Sequence, residues 1–149
     1  MIASCHMKID KLLEEFIARS RVARLATTSS EFRPHVVPVV FVFDGNYFLI
    51  PIDSKRKRTE NPENLKRIRN IKENSNVSLL IDEYSEDWTK LRYVIIHGKA
   101  SIVKKPEQNK WLQEAYEKLV IKYPQYQKIG IGEMCIIVEA KKVVSWRNS

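Results

Sequence analysis

The chain has 149 residues, 44% of them hydrophobic, and a formal net charge of +8. This length suits a single domain that buries its own core. No apolar run approaches the ~20 residues of a membrane span and no signal peptide is visible, so we expect an intracellular, cytoplasmic protein without a membrane partner. Cys5 and Cys135 are distant in the sequence and form no CxxC pair, which argues against a zinc site or a disulfide framework.

The first half of the chain predicts one helix and three strands. Residues 1–7 resemble a leader or a disordered start, so the predicted domain covers residues 8–149. Apolar residues at helical spacing predict an amphipathic helix over 9–17. Alternating or apolar runs then predict consecutive strands at 22–28, 35–43 and 47–52, with a hairpin turn at Asp44-Gly45-Asn46.

Pro38 lies inside the second of these strands. Proline cannot donate a hydrogen bond to a strand ladder. It therefore predicts an edge strand, a bulge, or a place where a ligand meets the backbone.

The second half predicts two helices and three more strands. Helices are expected over 62–73 and from Pro106 until Pro124 stops the helix; strands are expected at 77–81, 92–103 and 134–146. Gly130-Ile131-Gly132 is interpreted as a turn. Six mostly antiparallel strands with few helices favour a mainly β (α+β) domain, a small closed barrel with helices packed at its ends.

Positive charge is concentrated directly after the third predicted strand. Between Ser54 and Lys72 there are eight lysines and arginines against two glutamates. Such a local field attracts anions, and a helix that begins near Asn61 and Pro62 would add free backbone N–H groups. We call residues 54–59 the basic segment, and we expect it to hold a phosphate. The alternative is a solvated charged loop.

Several kinds of chemistry are disfavoured. His6, His35 and His97 are scattered, and neither HExxH, GxSxG nor a paired Cys/His signature occurs. We therefore do not expect a metal hydrolase or a covalent nucleophile. Nucleic-acid binding through residues 55–72 is also disfavoured, because no aromatic side chains are interleaved with the charges for base stacking.

Three motifs carry a family resemblance: DxKxKRT at 53–59, NIxxNxxVSLLxD at 70–82, and YxEDWxxL at 84–91. Together they resemble the pyridoxamine-phosphate-oxidase-like flavin-binding split barrels, and within these a branch of deazaflavin-dependent enzymes. The resemblance extends from about Arg21 to Val103 and more weakly to the end. It implies an FMN-binding split barrel that forms a homodimer, with coenzyme F420 or FMN between the subunits.

The resemblance also implies roles for particular residues. The phosphate side would be held by Ser54, Lys55, Lys57, Arg58 and Thr59. The backbone of Val37, Pro38 and Val39 would face the ring edge, and Trp88 or Trp146 would come from the partner subunit. The chain departs from the branch at Arg56, where proline is common, and at Arg92, where an aromatic residue is common.

The expected function is an oxidoreductase that uses reduced coenzyme F420, or FMN, for hydride transfer to a small conjugated substrate. Such a cofactor carries the hydride itself, which accounts for the lack of a catalytic triad. The alternative is a non-catalytic module that binds flavin, deazaflavin or haem. The apolar strands also predict a dimer, as do the tryptophans Trp88, Trp111 and Trp146, because large aromatics commonly anchor interfaces. The alternative is that all three tryptophans are core residues of a monomer.

Overall fold

The computed structural model describes residues 9–53, 61–104 and 109–148; residues 1–8, and with them the predicted leader, lie outside this part of the chain. Short 3-10 turns occur at Pro62–Asn64 and Trp88–Lys90. The helices and strands are, in chain order, α1 (Lys11–Arg19), β1 (Ala23–Thr28), β2 (Pro34–Val39), β3 (Val42–Phe43), β4 (Tyr47–Asp53), α2 (Lys66–Glu73), β5 (Asn76–Glu83), β6 (Arg92–Lys104), α3 (Lys110–Lys122), α4 (Tyr126–Ile129) and β7 (Ile131–Arg147).

The strands form one antiparallel sheet in the order β2-β1-β5-β6-β7-β4-β3. Its two outermost strands, β2 and β3, are consecutive in the sequence and are joined by Val40 and Phe41 alone. A connection this short brings the two ends of the sheet together, so the sheet curves into a barrel. The expected mainly β barrel with flanking helices is confirmed.

The strand count of six is corrected to seven, because the strand predicted over 35–43 is two strands. Its first part pairs with β1, as in Val37 opposite Leu25, and its second part pairs with β4, as in Val42 opposite Leu49. Between them Phe41 is fully buried. Valine and phenylalanine continue through both parts, so the residue pattern does not mark the place where the strand changes neighbours.

Other boundaries also differ from the prediction. β7 begins at Ile131 instead of 134, so the Gly130-Ile131-Gly132 stretch is mostly strand. The helix predicted over 62–73 is interrupted at Leu65. Asn61 does cap the first turn, since its side chain accepts a hydrogen bond from the backbone N–H of Glu63. Pro106 lies outside the described residues, and α3 begins after the capping residue Asn109.

The core fills the barrel interior. In the strands, alternate side chains point inward, and helices α1 and α2 add one face each. Asn70 of α2 donates a buried hydrogen bond to the hydroxyl of Thr27 on β1, which ties the helix to the sheet. The fully buried large side chains are Ile17, Leu25, Phe41, Phe48, Leu49, Ile50, Ile68, Leu79, Ile81, Ile96, Leu119 and Ile136.

Across five neighbouring strands, the outer face of the sheet carries a row of side chains of which four are apolar and one, Arg24, is charged. The strand register aligns Pro38, Arg24, Leu80, Ile95 and Val144. Leu80 and Val144 remain 37% and 38% exposed. We call Pro38, Leu80, Ile95 and Val144 the apolar band. One row to one side of the band, Tyr93 lies opposite Trp146.

Candidate functional site

The barrel wall is open between β2 and the end of β4. Among the described residues, the ladder of β2 runs along β1 only, and β3 meets β4 at two residue pairs, Val42–Leu49 and Phe43–Phe48. The rest of β4 pairs with β7 on its other side. The backbone edge of β2 that faces away from β1 therefore borders a split in the barrel. The edge-strand interpretation of Pro38 is confirmed.

Val37, Pro38 and Val39 lie along this split. Val39 is buried, Val37 packs against the core, and Pro38 is exposed on the outer face. Their side chains thus point to both sides of the sheet, and the backbone is what the three residues share along the open edge. A ring facing the backbone here is compatible with this geometry, and the ring contact stays a prediction.

The chain passes into the basic segment at the end of β4. Ser54, Lys55, Lys57, Arg58 and Thr59 lie outside the described residues. The nearest described residues on either side, Asp53 and Asn61, both line a cavity of about 620 Å³. The other described lining residues are Ile52, Pro62, Glu63, Lys104, Gly132, Glu133 and Met134.

Ion pairs engage Glu63 in the wall of this cavity. Lys104 donates a hydrogen bond to its carboxylate, and Lys72 lies 3.6 Å away. The hydrogen bond and charge of Lys104, followed by the charge of Lys72, lower the pKa of Glu63. The negative charge of Glu63 is therefore balanced by two lysines, one on α2 and one on β6, and these ion pairs hold α2 and β6 together beside the cavity. A carboxylate balanced in this way repels an anion less than a free carboxylate would.

A second network holds Asp53. The hydroxyl of Tyr126 donates a 2.7 Å hydrogen bond to the Asp53 carboxylate, and burial together with this bond raises the pKa of Tyr126. Burial lowers the pKa of the nearby Arg67 guanidinium, while the charge of Asp53 opposes that shift. The network fixes the point where β4 enters the basic segment. It was not predicted, because Tyr126 lies in α4, which follows a proline that reads as a helix stop.

Trp146 and Trp88 lie at another part of the molecule. The Trp146 ring stacks on Tyr93 with centroids 5.8 Å apart. Trp88 is 65% exposed, and its carbonyl accepts a hydrogen bond from the Asn148 side chain, so both tryptophans lie near the end of β7. Arg92 packs its guanidinium 3.7 Å from the centre of the Phe16 ring, which occupies it on the α1 side.

Trp146 and Pro38 lie on strands that are far apart in the order of the sheet. Trp146 is on β7 and Pro38 is on β2, and β1, β5 and β6 lie between them. Four strand spacings of about 4.8 Å separate the two residues by roughly 19 Å along the sheet. Pro38 on the open β2 edge is therefore four strands from Trp146 along the sheet, and the described lining of the cavity beside the basic segment contains neither tryptophan.

Trp111, the remaining tryptophan, contacts other residues of its own chain. Its indole N–H donates a 2.7 Å hydrogen bond to the Asp44 carboxylate, and its ring meets Tyr47 edge to face. It therefore packs α3 against the β3–β4 hairpin.

The described parts of the chain contain neither a metal-binding cluster nor a membrane-spanning helix. There, no three histidine, cysteine, aspartate or glutamate side chains come close enough to hold a metal ion. No helix among those residues is both long enough and apolar enough to cross a membrane.

Comparison with known proteins identifies the family. The model of the family described as pyridoxamine 5'-phosphate oxidase matches residues 9–146. The chain belongs to the pyridoxamine 5'-phosphate oxidase family. The split described above is therefore the split of this family's barrel, as the sequence motifs implied. No curated protein sequence matches the chain.

Solved structures share the family's barrel at low sequence identity. A conserved hypothetical protein from Mycobacterium tuberculosis superposes with a TM-score of 0.70 at 19% identity, over 99% of this chain and 91% of that one. The haem storage protein HutZ from Vibrio cholerae gives 0.68 at 14%, over 95% of each chain. An F420 reductase gives 0.63 at 20%, over 91% of this chain and 98% of that one. At these identities the likeness establishes the fold alone.

Proposed function

We propose that this family member binds a flavin or deazaflavin at the split between β2 and β4 and acts as an oxidoreductase on a small conjugated substrate. Two observations carry the proposal: the open backbone edge of β2, and the cavity at the point where β4 enters the basic segment. Backbone N–H and C=O groups suit the polar edge of the ring, and lysine and arginine side chains suit its phosphate. The bound cofactor would supply the hydride chemistry.

Coenzyme F420 is the preferred cofactor, and FMN is the other. The motifs of the deazaflavin-dependent branch favour F420, as does the likeness to a protein named F420 reductase. Titration of the purified protein with each cofactor, followed by quenching of ring fluorescence, separates them. We expect tighter binding of F420. Tight FMN binding without F420 binding would reverse the preference.

A non-catalytic binding module is the second candidate, because the chain also has the fold of a haem storage protein. The absorbance spectrum of freshly purified protein gives a first answer, since flavin, deazaflavin and haem absorb at different wavelengths. Reduced cofactor is then offered with quinones, enones and biliverdin-like tetrapyrroles. Oxidation of the cofactor supports the enzyme, whereas binding without oxidation of any of them supports the module.

Lys57 provides a residue-level test of the phosphate site. Loss of one charge-assisted contact costs about 1.5–3 kcal/mol, or roughly ten- to hundredfold in affinity. We expect Lys57→Ala to weaken cofactor binding by this factor. Arg56→Ala is the matched control, because it removes an equal charge one residue away, where the branch commonly has proline. An equal loss in both variants, seen only at low salt, would mean a diffuse field and no specific contact.

We further propose that a second copy of the chain covers the apolar band. The band has one apolar residue on each of β2, β5, β6 and β7, with Arg24 of β1 in the same row, and Tyr93 and Trp146 extend it by one row. Exposed apolar and aromatic surface of this kind is typical of an interface. In such a dimer the partner could supply the tryptophan that a single chain keeps about 19 Å along the sheet from Pro38.

We also propose a cytoplasmic location, which agrees with the use of a reduced cofactor.

A further inference from the structure

A β-bulge interrupts the pairing of β6 and β7. Lys99 lies opposite Glu139 and Gly98 opposite Ala140, but the next residue, His97, lies opposite Lys142. Lys141 is therefore the extra residue of the bulge. Bulges change the direction of a side chain and are frequent beside functional sites.

Gly98 makes this bulge possible. A Cβ atom at this position would lie 2.5 Å from the main-chain oxygen of Glu139. Only glycine lets the two backbones come this close without a shift. The bulge is thus specified by the sequence.

The bulge borders a groove of about 480 Å³ on the outer face of the sheet, a volume within the range of small-molecule sites. His97, Lys99 and Lys141 contribute their side chains to it, and its described lining contains no aspartate or glutamate. The remaining lining residues are Ala26, Thr27, Thr28, Pro34, Asn76, Val77, Ser78 and Gly98.

The polar groups of the groove are held in place. Ser78 Oγ and His97 Nδ1 are hydrogen-bonded across neighbouring strands at 2.9 Å. Lys141 donates one 2.8 Å hydrogen bond to Glu139, which leaves two N–H groups of its ammonium for a ligand. Lys99 adds a second positive charge on the adjacent strand. One carboxylate thus balances two ammonium groups, and the groove keeps a net positive field.

We propose that this groove is a second anion-binding site, which takes a small phosphate dianion such as a phosphate monoester or inorganic phosphate. Lys99 and Lys141 supply charge-assisted hydrogen bonds, and the Ser78–His97 pair supplies further polar groups. The inference goes beyond the proposed oxidoreductase function, because none of the residues assigned to the cofactor is among the described lining of the groove.

The test is a two-dimensional NMR titration of the Lys57→Ala protein, without added flavin and at constant ionic strength. Inorganic phosphate and phenyl phosphate are the probes, with benzyl alcohol as an uncharged control. We expect saturable shifts of the Ser78, Gly98 and Lys99 amide signals with both phosphates and none with the alcohol. Tighter phenyl phosphate binding would identify a monoester as the ligand. Phosphate-induced shifts absent from these three amides would overturn the proposal.

Two neighbouring lysines make the test specific. Lys141→Ala should weaken phosphate binding about tenfold, since it removes one charge-assisted contact. Lys142→Ala removes the same charge one residue away, outside the described lining, and should leave the affinity unchanged. Lys99→Ala, which leaves the bulge residue in place, should weaken binding as Lys141→Ala does. Equal weakening by Lys142→Ala would show a diffuse field and would overturn the site.

Discussion

Phe32 lies in the turn between β1 and β2 with a backbone φ of 61° and a side chain that is 82% exposed. A non-glycine residue in this left-handed region costs about 1–2 kcal/mol, whereas glycine loses roughly 0.5–1 kcal/mol through the freedom it gains in the unfolded chain. We expect Phe32→Gly to raise the free energy of unfolding by about 0.5–1 kcal/mol in urea denaturation. Phe32→Ala keeps the backbone cost and should not stabilise. Equal stabilisation by both would trace the effect to the exposed ring.

Lys122 predicts a dependence of stability on alkaline pH. Its ammonium donates a 3.0 Å hydrogen bond to the Phe41 carbonyl and lies 4.0 Å from the centre of the Phe41 ring. Burial, together with the positive charge of Arg21, lowers the pKa of Lys122 from 10.5 to about 8. Below pH 8 the amine is charged in both states, and the folded protein carries the full cost of that buried charge.

Between pH 8 and 10.5 the folded protein releases this proton before the unfolded chain does, so the cost disappears as the pH rises. We therefore expect wild-type stability to improve relative to Lys122→Met over this range. Methionine keeps the apolar stem without the charge. Urea denaturation of both proteins from pH 7 to pH 10.5 measures the difference. A constant difference across the range would contradict the lowered pKa.

Among the strands, the β6–β7 ladder depends on Gly98, because its bulge has no room for a Cβ atom at this position. In Gly98→Ala the new Cβ would meet the Glu139 main-chain oxygen at 2.5 Å and a methyl group of Val138 at 2.8 Å. Because backbone must move to relieve the first contact, we expect a loss of about 1–3 kcal/mol in the free energy of unfolding. Lys99→Ala, one residue along the same strand, should change it by less than about 0.5 kcal/mol. Similar losses in both variants would mean that the bulge has no special need for glycine.

How well a strand or helix could be predicted from the sequence depends on how many of its faces are buried. β6 was predicted over 92–103 and runs over Arg92–Lys104, because its apolar and polar residues alternate. β2 and β3 were predicted as one strand, since Val36 to Phe43 is apolar on both sides apart from Pro38. The helix α4 was missed because it is a single turn held by Tyr126 and Asp53, which are 73 residues apart.

The assembled molecule depends on the apolar band, and Leu80 tests it. In a dimer that covers the band, Leu80→Lys would bury a charge without a partner in each subunit, which costs several kcal/mol. We expect dimers at micromolar concentration for the wild type and a roughly hundredfold or greater loss of dimer affinity for the variant, measured by sedimentation velocity. Ile121→Lys is the control, because Ile121 is 77% exposed on α3, away from the band. A monomeric wild type would contradict the dimer.

The candidate site was predictable to the extent that it is local in sequence. Pro38 and the basic segment each stand out within a few residues; Pro38 lies on the open edge of β2, whereas the basic segment lies outside the described residues. The Asp53 network and the groove at Lys141 were not predictable, because they join residues from strands and helices far apart in the chain. Of the residues at the groove, only Gly98 had been noticeable in the sequence. A glycine inside a strand predicts a bend or a close backbone approach, but it does not identify the partner strand.

The place of β7 in the sheet also decides when a newly made chain can complete its fold. Of the seven described strands, β7 is synthesised after the other six, yet it lies between β6 and β4 and pairs with both. Until Ile131 and the residues after it have left the ribosome, β4 has only its two-pair ladder with β3, and the edge of β6 is uncovered. Unpaired strand edges of this kind favour hydrogen-bonded pairing with the strands of other nascent chains. We therefore expect the barrel to close after translation of β7, as one late step.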